Sequence, residues 1–204
     1  MKIVADKFVL RPWCEEDAES LAARANNYEI WRNLRDGFPH PYTLEDAKRF
    51  IGSVGSLPSV FAIEIDGEAV GSIGYFPQTG TERHCAEVGY WLAEEYWGRG
   101  IMNAAVRKLS EYIFANTQLT RLFATPYGHN TASMRVLEKA GYTKVGLMRK
   151  AEMKNGEPID KCYFELMKKS QIYTLNSSSN DHSSSFINTR NCFKLLIKSS
   201  KEGF

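Results

Sequence analysis

The stretch Trp97-Gly98-Arg99-Gly100-Ile101-Met102 has the composition of an anion-binding turn. It follows an apolar and aromatic run, 88–92, that is typical of a buried strand, and from Ile101 apolar residues recur every three or four positions, which predicts a helix to about Asn116. The first amides of a helix lack intrahelical partners, the helix dipole adds partial positive charge, and glycine lets a phosphate approach the backbone. This order therefore predicts a phosphate site, with an ordinary strand-to-helix turn as the alternative.

Glu87 stands directly before the same apolar run. Side chains alternate along a strand, so Glu87 shares a face with Gly89 and Trp91. Val88 and Tyr90 point to the opposite face, where they are expected in the core. Because a carboxylate is costly to bury alone, Glu87 is expected to have either a chemical role or a charged partner.

The elements that position these residues alternate between strands and helices. Strands are predicted at 8–11, 61–65, 69–75, 87–92, 121–126, 142–148 and 161–167, and helices at 15–22, 26–34, 43–51, 101–116 and 131–139. Asp66-Gly67 supplies the tight turn of a hairpin, and Asn130 caps the last helix. The order predicts an α/β protein of the α+β type, with a mixed sheet and helices on both faces.

Length and composition narrow the class of protein. The chain has 204 residues, 43% hydrophobic, which is enough for one sizeable core, and a net charge of +2 gives no support for a nucleic-acid or membrane surface. No apolar run approaches the roughly 18 residues of a membrane span. The four cysteines, Cys14, Cys85, Cys162 and Cys192, are far apart, which argues against a metal site and favours reduced thiols in a cytoplasmic protein.

The C-terminal part changes in character after Lys169. Residues 176–185 are rich in Ser and Asn and bury too little to offset the entropy of ordering. The sequence therefore predicts one domain at 1–169 and a flexible tail at 170–204. Docking of the apolar segment 192–198 onto the domain is the alternative.

Several motifs together give a family resemblance. The turn 97–102, followed by Asn130-Thr131-Ala132-Ser133 and by Leu137-Glu138-Lys139-Ala140-Gly141-Tyr142, resembles the GNAT N-acetyltransferases. Segments 10–12, 33–36, 39–43 and 87–92 are similar to the RimJ/RimL-type branch. The resemblance covers roughly residues 6–168. It implies a GNAT-like, mostly antiparallel sheet of about seven strands that is splayed at the cofactor site.

The resemblance also implies acetyl-CoA as the cofactor and assigns residues to it. The pyrophosphate would lie against the amides of Gly98, Gly100, Ile101, Met102 and Asn103, beside Trp97, and the pantetheine arm against Trp91 and Leu92. Arg99 would contact a phosphate or remain a solvated loop residue, and Asn130 would contact the arm or act only as a helix cap.

Two positions depart from the family pattern. Met102 is larger than the usual residue and is expected to turn toward the core, and Leu137 replaces the tyrosine that many relatives use as a general acid.

Catalytic and acceptor roles follow from the same resemblance. The amine must lose a proton before it attacks, and Glu87 is the candidate base, through a water molecule, with a salt bridge or a contact to the substrate ammonium as the alternative. Ser133 would protonate or hydrogen-bond the leaving thiolate, with a hydrogen bond back to its own helix as the alternative. The acceptor pocket would be framed by five residues, namely Trp31, Asp36, Phe38, His40 and Tyr42, with an exposed loop position as the alternative for His40.

The predicted activity is direct transfer of an acetyl group to a primary amine in a ternary complex, since no Cys–His pair suggests a covalent intermediate. The acceptor is expected to be a protein N-terminal α-amine or a small molecule such as a polyamine or amino sugar. The alternative is a regulatory domain that binds CoA but does not catalyse a reaction. A monomer and a homodimer are both compatible with the sequence.

Overall fold

The computed structural model describes residues 2–169, so the predicted tail and Cys192 lie outside the described residues. Eight strands are found there: β1 (Ile3–Val4), β2 (Val9–Arg11), β3 (Val60–Ile65), β4 (Glu68–Pro77), β5 (Cys85–Leu92), β6 (Arg121–Ala124), β7 (Thr143–Lys154) and β8 (Glu157–Met167). The α-helices are α1 (Ala18–Ala25), α2 (Tyr28–Trp31), α3 (Leu44–Val54), α4 (Ile101–Asn116) and α5 (Thr131–Lys139).

The strands form one sheet in the order β1-β2-β3-β4-β5-β6-β8-β7. All neighbours are antiparallel except β5 and β6, which are parallel, so the predicted mixed and mostly antiparallel sheet is confirmed. The eight strands found in residues 2–169 agree with the predicted count of about seven. The additional strand is β1, whose two residues pair with Val9 and Leu10 and are too few to show a strand period.

Local signals account for several element boundaries. Asp66 and Gly67 adopt φ of 51° and 85°, as the tight turn between β3 and β4 requires. Thr43 and Asp46 form a capping box at the start of α3. The predicted helix at 26–34 is shorter, only Tyr28–Trp31, because the side chain of Asn27 caps it from within the predicted range.

The last two strands are longer than predicted. β7 continues to Lys154, and β8 already begins at Glu157. The two strands are joined by a turn at Asn155 and Gly156, both of which have positive φ. The far half of this hairpin is mostly exposed and lacks an alternating apolar pattern. This part of the hairpin is therefore defined by the pairing between β7 and β8 and could not be predicted from an alternation of apolar residues.

Helices cover both faces of the sheet, as predicted. One core cluster lies beneath α4 and α5 and includes Val88, Leu109 and Leu137. The other lies beneath α1 and α3 and includes Leu21 and Ile51. Neither a helix capable of crossing a membrane nor a group of three His, Cys, Asp or Glu arranged to hold a metal is found within residues 2–169.

The sheet splays beside β5. Only Cys85, Ala86 and Glu87 pair with β6, opposite Arg121, Leu122 and Phe123. From Val88 onward β5 pairs with β4 alone. The edge of β5 that faces β6 is thus left open between Val88 and Leu92, where the family resemblance implied a splay.

Candidate active site

A cavity of 890 Å³ lies along the splayed part of β5. At one end it is lined by the glycine turn and the starts of α4 and α5, and at the other by residues of α2, α3 and the loop between them. Its wall includes the predicted positions Glu87, Trp91, Leu92, Trp97, Gly98, Gly100, Ile101, Met102, Asn103, Asn130, Ser133 and Phe38. One continuous cavity therefore brings together most of the residues selected from the sequence.

The glycine turn has the geometry of a phosphate cradle. Gly98 and Gly100 have φ of 73° and 76°, in the left-handed region that favours glycine, and Gly100 is the N-cap of α4. A Cβ at Gly98 would meet nothing within 4 Å, and one at Gly100 only Asn103 Oδ1 at 3.8 Å. The first backbone bond of the helix runs from Ala104 N to Gly100 O at 3.2 Å. The three preceding amides are free of helical partners, so the turn fits a diphosphate.

The side chains around the turn are held in place by the protein. Trp97, 43% exposed, donates from Nε1 to the carbonyl of Leu92 at 2.7 Å, which fixes the turn to the end of β5. The guanidinium of Arg99 lies 5.3 Å from the ring centre of Tyr96 and is not part of the cavity wall. Met102 is 7% exposed and packs in the core, as expected, so its bulk does not close the cradle.

The start of α5 faces the same cavity. Asn130 caps this helix by accepting a hydrogen bond from the amide of Ser133 at 3.0 Å. The predicted cap is confirmed. Two basic residues of α5, Arg135 and Lys139, also line the cavity. Sequence reasoning did not select them, although their spacing of four residues places them on one helix face.

Glu87 is held by two partners. Its Oε1 accepts hydrogen bonds from Arg35 Nη2 at 2.7 Å and from Thr125 Oγ1 at 2.8 Å. Its side chain is 18% exposed, whereas that of Arg35 is 62% exposed. Within residues 2–169 no hydrogen bond is made to the second oxygen, Oε2. The salt bridge considered from the sequence is therefore present, but it occupies only one carboxylate oxygen.

Tyr90 contacts Ser133 across the cavity wall. Its hydroxyl lies 2.9 Å from Ser133 Oγ and 3.3 Å from the Ser133 carbonyl. Burial raises the pKa of Tyr90 well above its usual value, so its hydroxyl stays protonated at physiological pH. The sequence pointed to a core position for Tyr90, and the ring does pack against the core. Its contact with Ser133 joins residues 43 apart and had no local signal.

Of the five residues predicted to frame the acceptor pocket, one lines the cavity and four do not. Phe38 lines the cavity, whereas Tyr42 is buried behind it with the two ring centres 4.8 Å apart. Trp31, Asp36 and His40 are not part of the cavity wall. They form a separate cluster in which Trp31 stacks on exposed His40 and Asp36 pairs with Lys154 at 3.3 Å.

Comparison with known proteins places this fold and cavity in a family. The family model described as an acetyltransferase (GNAT) domain matches residues 7–143. The chain therefore belongs to the GNAT acetyltransferases, as the motifs implied, and is an enzyme of the N-acetyltransferase class that uses acetyl-CoA.

Individual relatives support this assignment. The chain is 30% identical over 176 residues to the uncharacterized N-acetyltransferase p20 of Bacillus licheniformis, with 82% of this chain and 96% of that protein covered. It is 28% identical over 163 residues to the L-amino acid N-acetyltransferase AaaT of Escherichia coli, with 79% and 99% covered. Among solved structures, Mycobacterium smegmatis RimJ in complex with CoA-disulfide superposes with a TM-score of 0.70 at 25% identity, covering 78% of this chain and 81% of that one.

Proposed function

We propose that this enzyme transfers the acetyl group of acetyl-CoA directly to the α-amine of a protein N-terminus or of a small molecule. The observation that carries the proposal is the single cavity that joins the glycine turn before α4 to the carboxylate of Glu87. One end of this cavity suits a diphosphate, and the other end offers a group that accepts a proton.

Residues of the glycine turn and of α5 would bind the coenzyme, which supplies an acetyl thioester. The amides of Ile101, Met102 and Asn103 are the first of α4 and have no helical partners, and Arg135 and Lys139 add positive charge on the neighbouring helix. The edge of β5 that does not pair with β6 suits an extended arm, which would add to the sheet as a short strand. Asn130, at the start of α5, lines the same cavity and would contact the arm.

Glu87 is our candidate for the general base. An α-amine with a pKa near 8 is mostly an ammonium at neutral pH and must lose a proton before it attacks. Arg35 and Thr125 fix Oε1, which leaves Oε2 free to take that proton directly or through a water molecule. Arg35 and Thr125 are positioning residues in this proposal, because they act through Glu87.

Ser133 and Tyr90 are our candidates for the hydroxyl pair at the leaving thiolate. A phenol at position 137 is absent, and Leu137 is fully buried in the core. Tyr90 lies 2.9 Å from Ser133 Oγ, so Tyr90 can donate a hydrogen bond to that oxygen while the Ser133 hydroxyl donates a hydrogen bond to the thiolate and stabilises its charge. The high pKa of Tyr90 suits this donor role, because the phenol does not ionise in the working range of pH.

One relative and the family resemblance support an α-amine as the acceptor. AaaT is named as an L-amino acid N-acetyltransferase, and the motifs of this chain resemble the RimJ/RimL-type branch, whose ribosomal-protein acetylases act on protein N-terminal α-amines. The free thiols of Cys85 and Cys162, both buried, support the cytoplasm as the site of the reaction.

The proposal is tested with acetyl-CoA and a mixed panel of amines that includes free amino acids, peptides with different N-termini, spermidine and glucosamine. We expect CoA thiol release with at least one α-amine and an added 42 Da acetyl group in mass spectrometry. Calorimetry with CoA alone is the parallel measurement. Binding of CoA without turnover of any amine would instead identify a non-catalytic CoA-binding domain, and absence of binding would remove both interpretations.

A further inference from the structure

Two glycines in adjacent strands leave a gap in the side-chain layer of the sheet. Gly74 of β4 lies directly opposite Gly89 of β5, on the face that also carries Glu87 and Trp91. Both glycines line the cavity. Because neither has a side chain, the sheet presents bare backbone at this point, two register pairs away from the Phe76–Glu87 pair.

The side chains around this gap are apolar. We call them the apolar slot: Phe38, Phe50, Val54, Val60, Phe76 and Trp91, all of which line the cavity. Phe38 meets Trp91 edge-on with ring centres 6.4 Å apart, and Phe76 is 47% exposed. No member of the slot is charged. Glu87 is directly opposite Phe76 in the strand register and therefore marks the polar end of the slot.

Other carboxylates of the cavity wall already have partners. Glu29 pairs with Arg32 at 3.3 Å, and Glu152 pairs with Lys161 at 2.8 Å. Glu87 and Glu152 each keep one carboxylate oxygen without a hydrogen bond in the described part of the chain, but only Glu87 lies in the strand register opposite Phe76, at the edge of the slot. Glu87 therefore offers a place for an ammonium with an uncharged space beside it.

We propose, on the basis of the proposed function, that the acceptor is an α-amine whose neighbouring substituent is a bulky apolar or aromatic side chain. The amine faces Glu87, and the substituent fills the apolar slot above Gly74 and Gly89. A polyamine would place a second ammonium among apolar side chains, and an amino sugar would place hydroxyls there without partners, and both arrangements are costly. A free amino acid and a peptide N-terminus share the required chemistry.

The first test is direct binding, which does not depend on turnover. Phenylalaninamide, glycinamide, spermidine and glucosamine are titrated by calorimetry into the protein saturated with CoA. We expect phenylalaninamide to bind at least tenfold more tightly than each of the others, since the filled slot excludes water from apolar surface. Equal binding of phenylalaninamide and glycinamide, tighter binding of spermidine or glucosamine, or no binding of phenylalaninamide would overturn the inference.

A second test fills the slot by mutation. A Cβ at Gly89 would make only an ordinary contact, 3.5 Å from Phe76, whereas one at Gly74 would lie 2.9 Å from the Ser59 carbonyl and disturb the backbone. Gly89→Val is therefore the variant to use. Gly146→Val is the matched control, because Gly146 is also a strand glycine, lies outside the cavity wall and has open space around it.

Gly89→Val is expected to weaken phenylalaninamide binding at least tenfold and to change glycinamide binding less than threefold. Gly146→Val should leave both unchanged. If Gly89→Val lowers the affinity for phenylalaninamide and for glycinamide by the same factor, the slot does not bind the apolar substituent and the inference is wrong. A preference for phenylalaninamide in binding without thiol release from any amine would retain the slot while refuting acetyl transfer, so the two failures are distinguishable. Comparing kcat/KM for phenylalanine, phenylalaninamide and a dipeptide that begins with phenylalanine then separates the free amino acid from the peptide N-terminus.

Discussion

Arg35 donates a hydrogen bond from Nη2 to Oε1 of Glu87 across 2.7 Å, although 52 residues separate them in the chain. Thr125 donates to the same oxygen from the end of β6. Three distant segments thus meet at one carboxylate. Because both partners bind Oε1, the carboxylate has a defined orientation and one oxygen available for chemistry.

Replacing Glu87 removes the group that we assign as base. Glu87→Gln is expected to lower kcat by about two to three orders of magnitude, in the range usual for a general base. The affinity for CoA, measured by calorimetry, should change less than twofold, because Glu87 lies at the other end of the cavity from the glycine turn. An unchanged pH dependence of kcat/KM in this variant would remove the base assignment.

Thr125 tests whether the orientation of Glu87 matters. Thr125→Val keeps the shape of the side chain but removes the donor to Oε1, and we expect about a tenfold loss in kcat, equivalent to one hydrogen bond. Thr125→Ser should restore most of the rate, since it restores the hydroxyl. Equal losses in the Val and Ser variants would indicate that packing, and not the hydrogen bond, is responsible.

The hydroxyl of Tyr90 can be removed without changing the ring. Tyr90→Phe is expected to reduce kcat about tenfold with little change in the KM for acetyl-CoA, because Ser133 loses its hydrogen-bond partner. Since burial raises the pKa of Tyr90, the wild-type rate should show no decline from phenol ionisation up to about pH 10. A Phe variant as active as the wild type would place Tyr90 among purely structural residues.

The glycine turn is tested by Gly100→Ala. Alanine is strained at φ of 76°, so the turn should shift and CoA affinity should fall about tenfold in calorimetry. Gly80→Ala is the matched control, because Gly80 also has a positive φ, 61°, with open space around it but lies outside the cavity wall. Gly80→Ala should lose stability without losing CoA affinity. Equal affinity losses in the two variants would contradict a specific phosphate cradle.

Stability in acid is predicted to depend on Asp17. Arg11, which is 8% exposed, donates to both oxygens of Asp17, at 2.6 and 2.8 Å, and also pairs with Glu64. Burial alone would raise the pKa of Asp17, but hydrogen bonds from Arg11 and from the Cys14 amide outweigh it and hold the pKa below its ordinary value. A depressed pKa in the folded state stabilises the protein fully above the ordinary carboxyl pKa, and this contribution is lost as the pH falls through the folded-state value.

Asp17→Asn should therefore lose about 3 kcal/mol of unfolding free energy at pH 7, because Arg11 keeps only one charged partner. Its unfolding free energy should also fall less steeply than that of the wild type from pH 4 downward. Urea denaturation at several pH values measures both effects. Lys48→Ala, which breaks the exposed pair with Glu45, serves as the control and should leave stability unchanged. Identical pH profiles for Asp17→Asn and wild type would contradict the assignment.

Local patterns were sufficient for most elements of the fold. The glycine turn, the Asn130 cap and the Asp66-Gly67 hairpin depend on neighbouring residues, and each was predicted where it is found. The burial of Met102 also follows from its position on the inner face of α4. Such features are readable from a sequence because backbone conformation and helix period are local properties.

Only the tertiary structure decided which distant residues meet. The contacts of Glu87 with Arg35 and Thr125, and that of Tyr90 with Ser133, depend on how the sheet splays and how α5 packs beside it. The separation of Trp31, Asp36 and His40 from the cavity likewise depends on how the long β7–β8 hairpin packs through Lys154. Strand register and helix packing are set by the sum of many non-local contacts, and for that reason no short stretch of this sequence contains them.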